Sequence, residues 1–137
     1  MARERYLADT SVFNRLTKPV VEAAFQPVVS EVAVCGPVAF EVGYSSRNRA
    51  DYDAAMHTIR GFGWAPTTDA NHVRALELQE TLARRSQHRA LSITDALVAA
   101  VAEARDLTIL HYDADFELIA SITGQSHMWI VPRGSAD

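Results

Sequence analysis

Five acidic residues stand where a carboxylate can do chemistry: Asp9, Glu41, Asp95, Asp113 and Asp115. Asp9 ends the strand-like run "RYLAD", and Asp113 and Asp115 follow the apolar run "LTILHY" as Asp-x-Asp. Each aspartate also has a purely structural reading. Asp9 suits a turn, its carboxylate bonding an amide two residues on. Asp95 lies three residues after Ser92, the spacing of a capping box at a helix start. Asp113 and Asp115 suit a loop and a helix N-cap. Glu41 resists such treatment, because it lies in "PVAFEVGY" with apolar neighbours at 38–40 and 42. An unpaired buried carboxylate is costly, and Arg47 and Arg49 lack the i+4 spacing of a helical ion pair.

Convergence of Asp9, Glu41, Asp95 and Asp113 would be a different matter. Two carboxylates about 4 Å apart repel by about 4 kcal/mol at an effective dielectric of 20, and four make six such pairs. Such a cluster needs proton uptake or a cation. An oxygen-only donor set favours Mg²⁺ or Mn²⁺ over zinc. Mg²⁺ keeps several waters, which leaves places for a phosphate oxygen and an attacking water. The chemistry that follows is metal-assisted hydrolysis of a phosphodiester.

The elements that must position these residues alternate between strand and helix. Strands are expected at residues 5–9, 32–36, 107–110 and 128–131, with a short strand or turn at "GWAPT". A brief helix follows Asp9 and stops near Pro19, and "VVEAAFQPVVSE" reads as helix or loop. Pro37 opens a helix through "VAFEVGYSSRN", and "DYDAAMHTIRGF" continues helically to the glycines at 61 and 63. Residues 69–87 form an amphipathic helix with Val73, Leu76, Leu78 and Leu82 as its apolar stripe. "LSITDALVAAVAEARD" is a helix capped by Ser92, and residues 115–122 form a short last helix. The alternation predicts a single α/β domain over residues 1–137, a three-layer sandwich with a central parallel sheet flanked by helices. Ligands of such sheets sit beyond the carboxyl ends of the strands, where parallel pairing brings Asp9 and Asp113 to one edge.

Composition narrows the function classes. Cys35 is the sole cysteine, so there is no intrachain disulfide or thiolate metal site, and its apolar run suggests a buried thiol. His57, His72, His88, His111 and His127 show no zinc spacing. A net charge of −4 with one lysine, Lys18, disfavours non-specific nucleic-acid binding. Arg84, Arg85, His88 and Arg89 nevertheless cluster, either as a solvated helix end or as an RNA contact. No segment has the uninterrupted apolar length of a membrane span, and "MARERYLADT" lacks a signal-peptide core. A cytoplasmic protein is expected.

Four segments in order, "LADTSVFNRL", "PVAFEVGYSSR", "LSITDALVAAVAE" and "TILHYDADFELIA", resemble the PIN-domain ribonucleases and, among them, the VapC-type toxins of toxin–antitoxin pairs. The resemblance implies a PIN-like sandwich and a Mg²⁺-dependent endoribonuclease, with Mn²⁺ as a substitute. It implies Asp9, Asp95 and Asp113 as metal ligands, Asp9 and Asp95 foremost, with Glu41 completing the catalytic pocket. Thr10 or Ser11 would orient Asp9 or touch the scissile phosphate, and Asp115 would support Asp113 or cap the next helix. Many relatives carry a hydroxyl-bearing residue where this chain has His111, whose neutral imidazole offers a comparable hydrogen bond. The implied partners are a small cognate antitoxin that blocks the pocket, for which an entering arginine is well suited, and a single-stranded RNA loop. A homodimer or toxin–antitoxin hetero-oligomer follows, with Arg84, Arg85 and Arg89 as RNA or antitoxin contacts. Rival phosphoryl-transfer enzymes fit less well: a dehalogenase-like phosphatase needs its Asp-x-Asp after strand 1, and a receiver domain needs a late lysine. A non-catalytic acidic α/β binding module remains the alternative.

Overall fold

Five short apolar runs pair into one parallel sheet. In the computed structural model, which describes residues 3–137, the strands are β1 (Tyr6–Ala8), β2 (Val32–Cys35), β3 (Gly63–Ala65), β4 (Thr108–His111) and β5 (His127–Trp129). Their spatial order is β3-β2-β1-β4-β5, every neighbouring pair parallel. Met1 and Ala2, part of the expected single domain, lie outside the described residues. The helices are α1 (Thr10–Phe13), α2 (Pro19–Phe25), α3 (Gly36–Tyr44), α4 (Arg49–Arg60), α5 (Asp69–Ala83), α6 (Ile93–Arg105) and α7 (Asp115–Thr123), with a 3-10 segment at Gln26–Glu31.

Alternation along the strands produces two apolar layers. Leu7 and Ile109 face one core with α6 and α7, while Ala8 and Leu110 face the other with Val12, Val21 and Phe25. Both faces are therefore covered, the three-layer arrangement expected of a parallel sheet. Helix α6 is buried continuously from Thr94 to Ala102, so its small residues pack on all sides. Chain order runs outward in both directions from β1, through β2 to β3 and through β4 to β5. The β1–β4 boundary is thus a topological switch point, where a crevice opens beyond the carboxyl ends of the strands. No helix among the described residues is long and apolar enough to cross a membrane.

Several boundaries differ from the expected ones for identifiable reasons. Strand β1 stops at Ala8, because Asp9 serves as the N-cap of α1. Pro19 does not stop a helix; it begins α2, where its missing N–H costs nothing. Strand β4 extends to His111, and the last strand ends at Trp129. Helix α5 ends at Ala83, followed by a turn in which Ser86 adopts φ 58°. Its buried face is also different: Asn71, Ala75, Leu78 and Leu82 point inward, whereas Val73 and Leu76 are 56% and 64% exposed. The Asn71 amide reaches the Ala100 carbonyl at 3.5 Å, so a small polar residue sits where α5 meets α6.

This geometry separates two leucines that look equivalent in sequence. Leu78→Ala is expected to cost about 2–5 kcal/mol and Leu76→Ala no more than about 0.5 kcal/mol, measured by urea denaturation. Equal losses would contradict the observed face.

Candidate metal centre

Asp9 leaves β1 and caps α1, so its carboxylate meets the first free amides of a helix. Its Oδ2 accepts the Ser11 N–H at 3.1 Å and the Ser11 hydroxyl at 2.7 Å. The Ser11 Oγ in turn accepts the Tyr112 N–H at 2.8 Å. One serine therefore ties the loop after β1 to the loop after β4. The turn reading and the site reading of Asp9 describe the same carboxylate.

Asp113 and Asp95 are held by comparable local devices. Asp113 Oδ1 accepts the Asp115 N–H at 2.9 Å, and the Asp113 N–H donates to His111 Nδ1 at 3.1 Å. Asp115 is the first residue of α7 and not its cap. Ser92 Oγ accepts the Asp95 N–H at 3.1 Å, half of a capping box. The Asp95 carboxyl does not complete the box and lies near the Asp115 carboxylate. From α3, Glu41 finds the partner its apolar flanks demanded: Thr10 Oγ1 donates to its Oε1 at 2.7 Å.

Asp9, Glu41, Asp95 and Asp113 meet in one hollow of about 550 Å³ at the switch point, which Asp115 does not line. Asp9, Asp95 and Asp113 each bring a carboxylate oxygen within 4.8 Å of the others. Glu41, Thr10 and Ser11 line the same hollow, outside that triplet. Asp115 lies beside Asp95. Arg84, Arg85 and Arg89 do not line it: they are exposed at the end of α5 and beyond, with Arg84 paired to Glu80 at 2.9 Å.

The cations that do line the hollow are Arg15 and Arg133, together with Tyr112 and Trp129. Arg15 stacks 4.6 Å from the Tyr112 ring and donates to the Ser11 and Ala136 carbonyls, both at 3.1 Å. Arg133 lies 5.7 Å from the Trp129 ring. Sequence reasoning did not single out either arginine. Arg15 carried one available signal, its position four residues after Ser11 in the same segment. Arg133 carried none, since only the return of the chain after β5 brings it to the site.

Burial and mutual repulsion raise the proton affinity of this cluster. Desolvation, then the charges of Asp9 and Asp113, push the Asp95 carboxyl up to about 8. Burial also raises Asp9, against the lowering effect of its Ser11 hydrogen bonds, and raises Asp115, with the Asp113 charge adding to it. The donor set tests well against a hard divalent cation: three oxygens, inadequately compensated charge and no sulfur or nitrogen ligand. His111 is close by, but both its nitrogens are engaged, by the Asp113 amide and by His127. Cys35 is buried, its thiol pushed up to about 11 by desolvation, which makes it inert as a nucleophile.

A parallel α/β sandwich with carboxylates gathered at its switch point defines a class of oxygen-ligand metal sites, and comparison with known proteins narrows it. The PIN domain family model matches residues 6–122. The chain is 45% identical to Ribonuclease VapC51 of Mycobacterium tuberculosis over 135 residues, covering 97% of this chain and 98% of that one. It is 39% identical to Ribonuclease VapC21 of the same species over 136 residues, covering 96% and 98%. Among solved structures, the DNA-bound VapBC of Salmonella typhimurium superposes with a TM-score of 0.73 at 16% identity, covering 93% and 99%. That likeness bears on the fold. The chain belongs to the PIN domain family and groups within it with the VapC ribonucleases.

The raised Asp95 pKa has a definite sign in stability. Its folded value of about 8 exceeds the ordinary 3.8, so unfolding releases a proton and stability falls as pH rises towards 8. His111, lowered from 6.5 to about 3, acts oppositely but only below 6.5. Between pH 6.5 and 8 the melting temperature in EDTA should therefore decline. Saturating Mn²⁺ should abolish that decline, because the metal-bound carboxylates hold no proton to release on unfolding. Asp95→Asn should flatten the profile in EDTA. Thermal melts at four pH values suffice, and an Asp95→Asn protein that keeps the wild-type slope in EDTA would exclude this origin.

Proposed function

We propose that this protein is the toxin of a toxin–antitoxin pair, a divalent-metal-dependent endoribonuclease that hydrolyses RNA phosphodiester bonds. One observation carries the reading: three carboxylates from segments far apart in sequence, two of them buried, meet in a single hollow at the switch point. The names of the relatives, Ribonuclease VapC51 and VapC21, support the activity. The VapBC complexes among the structural neighbours accord with a small cognate antitoxin as partner.

Asp9, Asp95 and Asp113 would hold Mg²⁺, with Mn²⁺ as an alternative. When bound, the ion supplies Lewis-acid activation of water and neutralises charge on the phosphodiester. The side chains contribute the rest. Ser11, by occupying Asp9 Oδ2, fixes that carboxylate and leaves Oδ1 free. Thr10 orients Glu41 through Oε1, which leaves Oε2 to take the proton from the attacking water. The water oxygen then bonds to phosphorus as the bond from phosphorus to a ribose oxygen breaks. Asp115 shares the Asp95 proton until the carboxylates ionise.

Arg15 and Arg133 flank the hollow where phosphates on either side of the scissile bond would lie. Trp129 lines the same hollow, so an unpaired base entering it would meet an aromatic ring, and the substrate is a single-stranded segment or loop. The antitoxin inserts a cationic side chain, an arginine, among the same carboxylates and replaces the charge of the metal. The protein works in the cytoplasm, as a homodimer or within a toxin–antitoxin hetero-oligomer.

Cleavage of total cellular RNA, mapped by sequencing of the new ends, tests the reading. Wild type in Mg²⁺ should cut and EDTA should abolish cutting. Asp9→Asn, Asp95→Asn and Asp113→Asn should each lose at least about a hundredfold, as expected when several kcal/mol of charge stabilisation disappear. Mg²⁺-independent cleavage would overturn the assignment, and no cleavage with no metal binding would favour a non-catalytic binding module. Arg133→Ala should raise KM more than it lowers kcat and reduce the log–log salt slope by about one. An unchanged slope would place the RNA elsewhere.

A further inference from the structure

Two imidazoles are hydrogen-bonded to each other across the neighbouring strands β4 and β5. His111 ends β4, completely buried, and His127 begins the neighbouring strand β5. His111 Nε2 lies 2.8 Å from His127 Nδ1, and His111 Nδ1 accepts the Asp113 N–H at 3.1 Å. Together these contacts determine the tautomer. A nitrogen that accepts from an amide carries no proton, so His111 is protonated at Nε2 and donates to His127 Nδ1. His127 then carries its own proton on Nε2. The His111 ring packs against Phe116 and Trp129, with centroids 4.9 and 5.0 Å away, so it cannot turn without disturbing both aromatics.

The loop after β4 needs such a hold. Asp113 is only partly buried, and it is repelled by both Asp9 and Asp95. Swinging outward would relieve that repulsion. Three amides of the segment are pinned by side chains: Tyr112 N–H by Ser11 Oγ, Asp113 N–H by His111 Nδ1 and Asp115 N–H by Asp113 Oδ1. Only the middle acceptor depends on the tautomer of a ring, and the proton of that tautomer is directed at a second ring.

We propose that the His111–His127 pair is a positioning device for Asp113: His127 holds His111 in the Nε2–H tautomer, and the bare Nδ1 then keeps the Asp113 backbone, and so its carboxylate, aimed into the metal site. The inference rests on the metal-hydrolase reading of the hollow. Neither histidine is a metal ligand or a catalytic residue. The pair acts through Asp113, and its effect belongs to metal affinity before it belongs to rate.

Side-chain amides separate the two hydrogen bonds. In His111→Asn, Oδ1 replaces Nδ1 and preserves the acceptor for the Asp113 amide. In His111→Gln, the terminal amide preserves a donor towards His127 and loses that acceptor, and His111→Leu loses both. Mn²⁺ affinity is measured by electron paramagnetic resonance titration, with thermal melts in EDTA as the folding control. Asn is expected within about threefold of wild type, whereas Gln and Leu should bind about tenfold to a hundredfold more weakly. His127→Ala, on a partly exposed edge strand, should melt near wild type and still lose about tenfold, because the His111 proton is no longer directed to Nε2. Nitrogen-15 spectra of histidine-labelled protein should show His111 protonated at Nε2 alone.

Wild-type affinity in a folded Gln variant would overturn the proposal. So would an Asn variant as weak as Leu, or a His111 protonated at Nδ1. Losses that merely track melting temperature would mark the pair as packing and overturn it too. A wild type that binds no Mn²⁺ would instead remove the metal-hydrolase reading itself, and this inference with it.

Discussion

Like charges held together against their repulsion are the constraint on which the site depends. With oxygens within 4.8 Å, each pair among Asp9, Asp95 and Asp113 repels by at least about 3.5 kcal/mol at an effective dielectric of 20. Three ionised pairs would cost about 10 kcal/mol, as much as the whole net stability of an ordinary domain. The metal-free protein escapes by keeping a proton: burial first, and the Asp9 and Asp113 charges after it, push the Asp95 carboxyl up to about 8. A divalent cation offers the same relief without neutralising the carboxylates. The cluster is thus poised between proton and metal.

What prevents the loops from moving apart is a set of short-range hydrogen bonds at helix starts and turns. The same three aspartates that suit cap and turn positions are the ones that gather. There is no conflict between these descriptions. A helix N-terminus provides amides for one carboxylate oxygen and a favourable dipole, while the other oxygen stays available. Asp9 shows this most directly, with both Ser11 bonds on Oδ2. Behind Asp113, at one wall of the hollow, stand the hydrogen-bonded imidazoles of His111 and His127.

Much of the fold was legible because periodicity and turn chemistry act locally. The Ser92-capped helix, the apolar run of β2 and the alternation of strand with helix all appear where the residues indicate. Misreadings arose where a local signal had two meanings. Pro19 can end one helix or begin another; α1 has already stopped at Phe13, and Pro19 takes the first position of α2. Val73 and Leu76 look like core by hydrophobicity, yet the close approach of α5 to α6 favours Asn71 and Ala75 at the contact. The arginine cluster at 84–89 was conspicuous by charge density, but Arg15 and Arg133 line the hollow.

By itself, the sequence determined the candidate carboxylates, their oxygen-only character, the parallel α/β class and the sheet edge on which Asp9 and Asp113 would fall. Those properties follow from residue type and from spacing along the chain. Tertiary structure alone decided which acids form the triplet, that Thr10 holds Glu41, and that His111 leans on His127. Each of these is a contact between segments whose separation along the chain sets no distance in space. Only the parallel pairing of the strands and the packing of α1 against α3 do that.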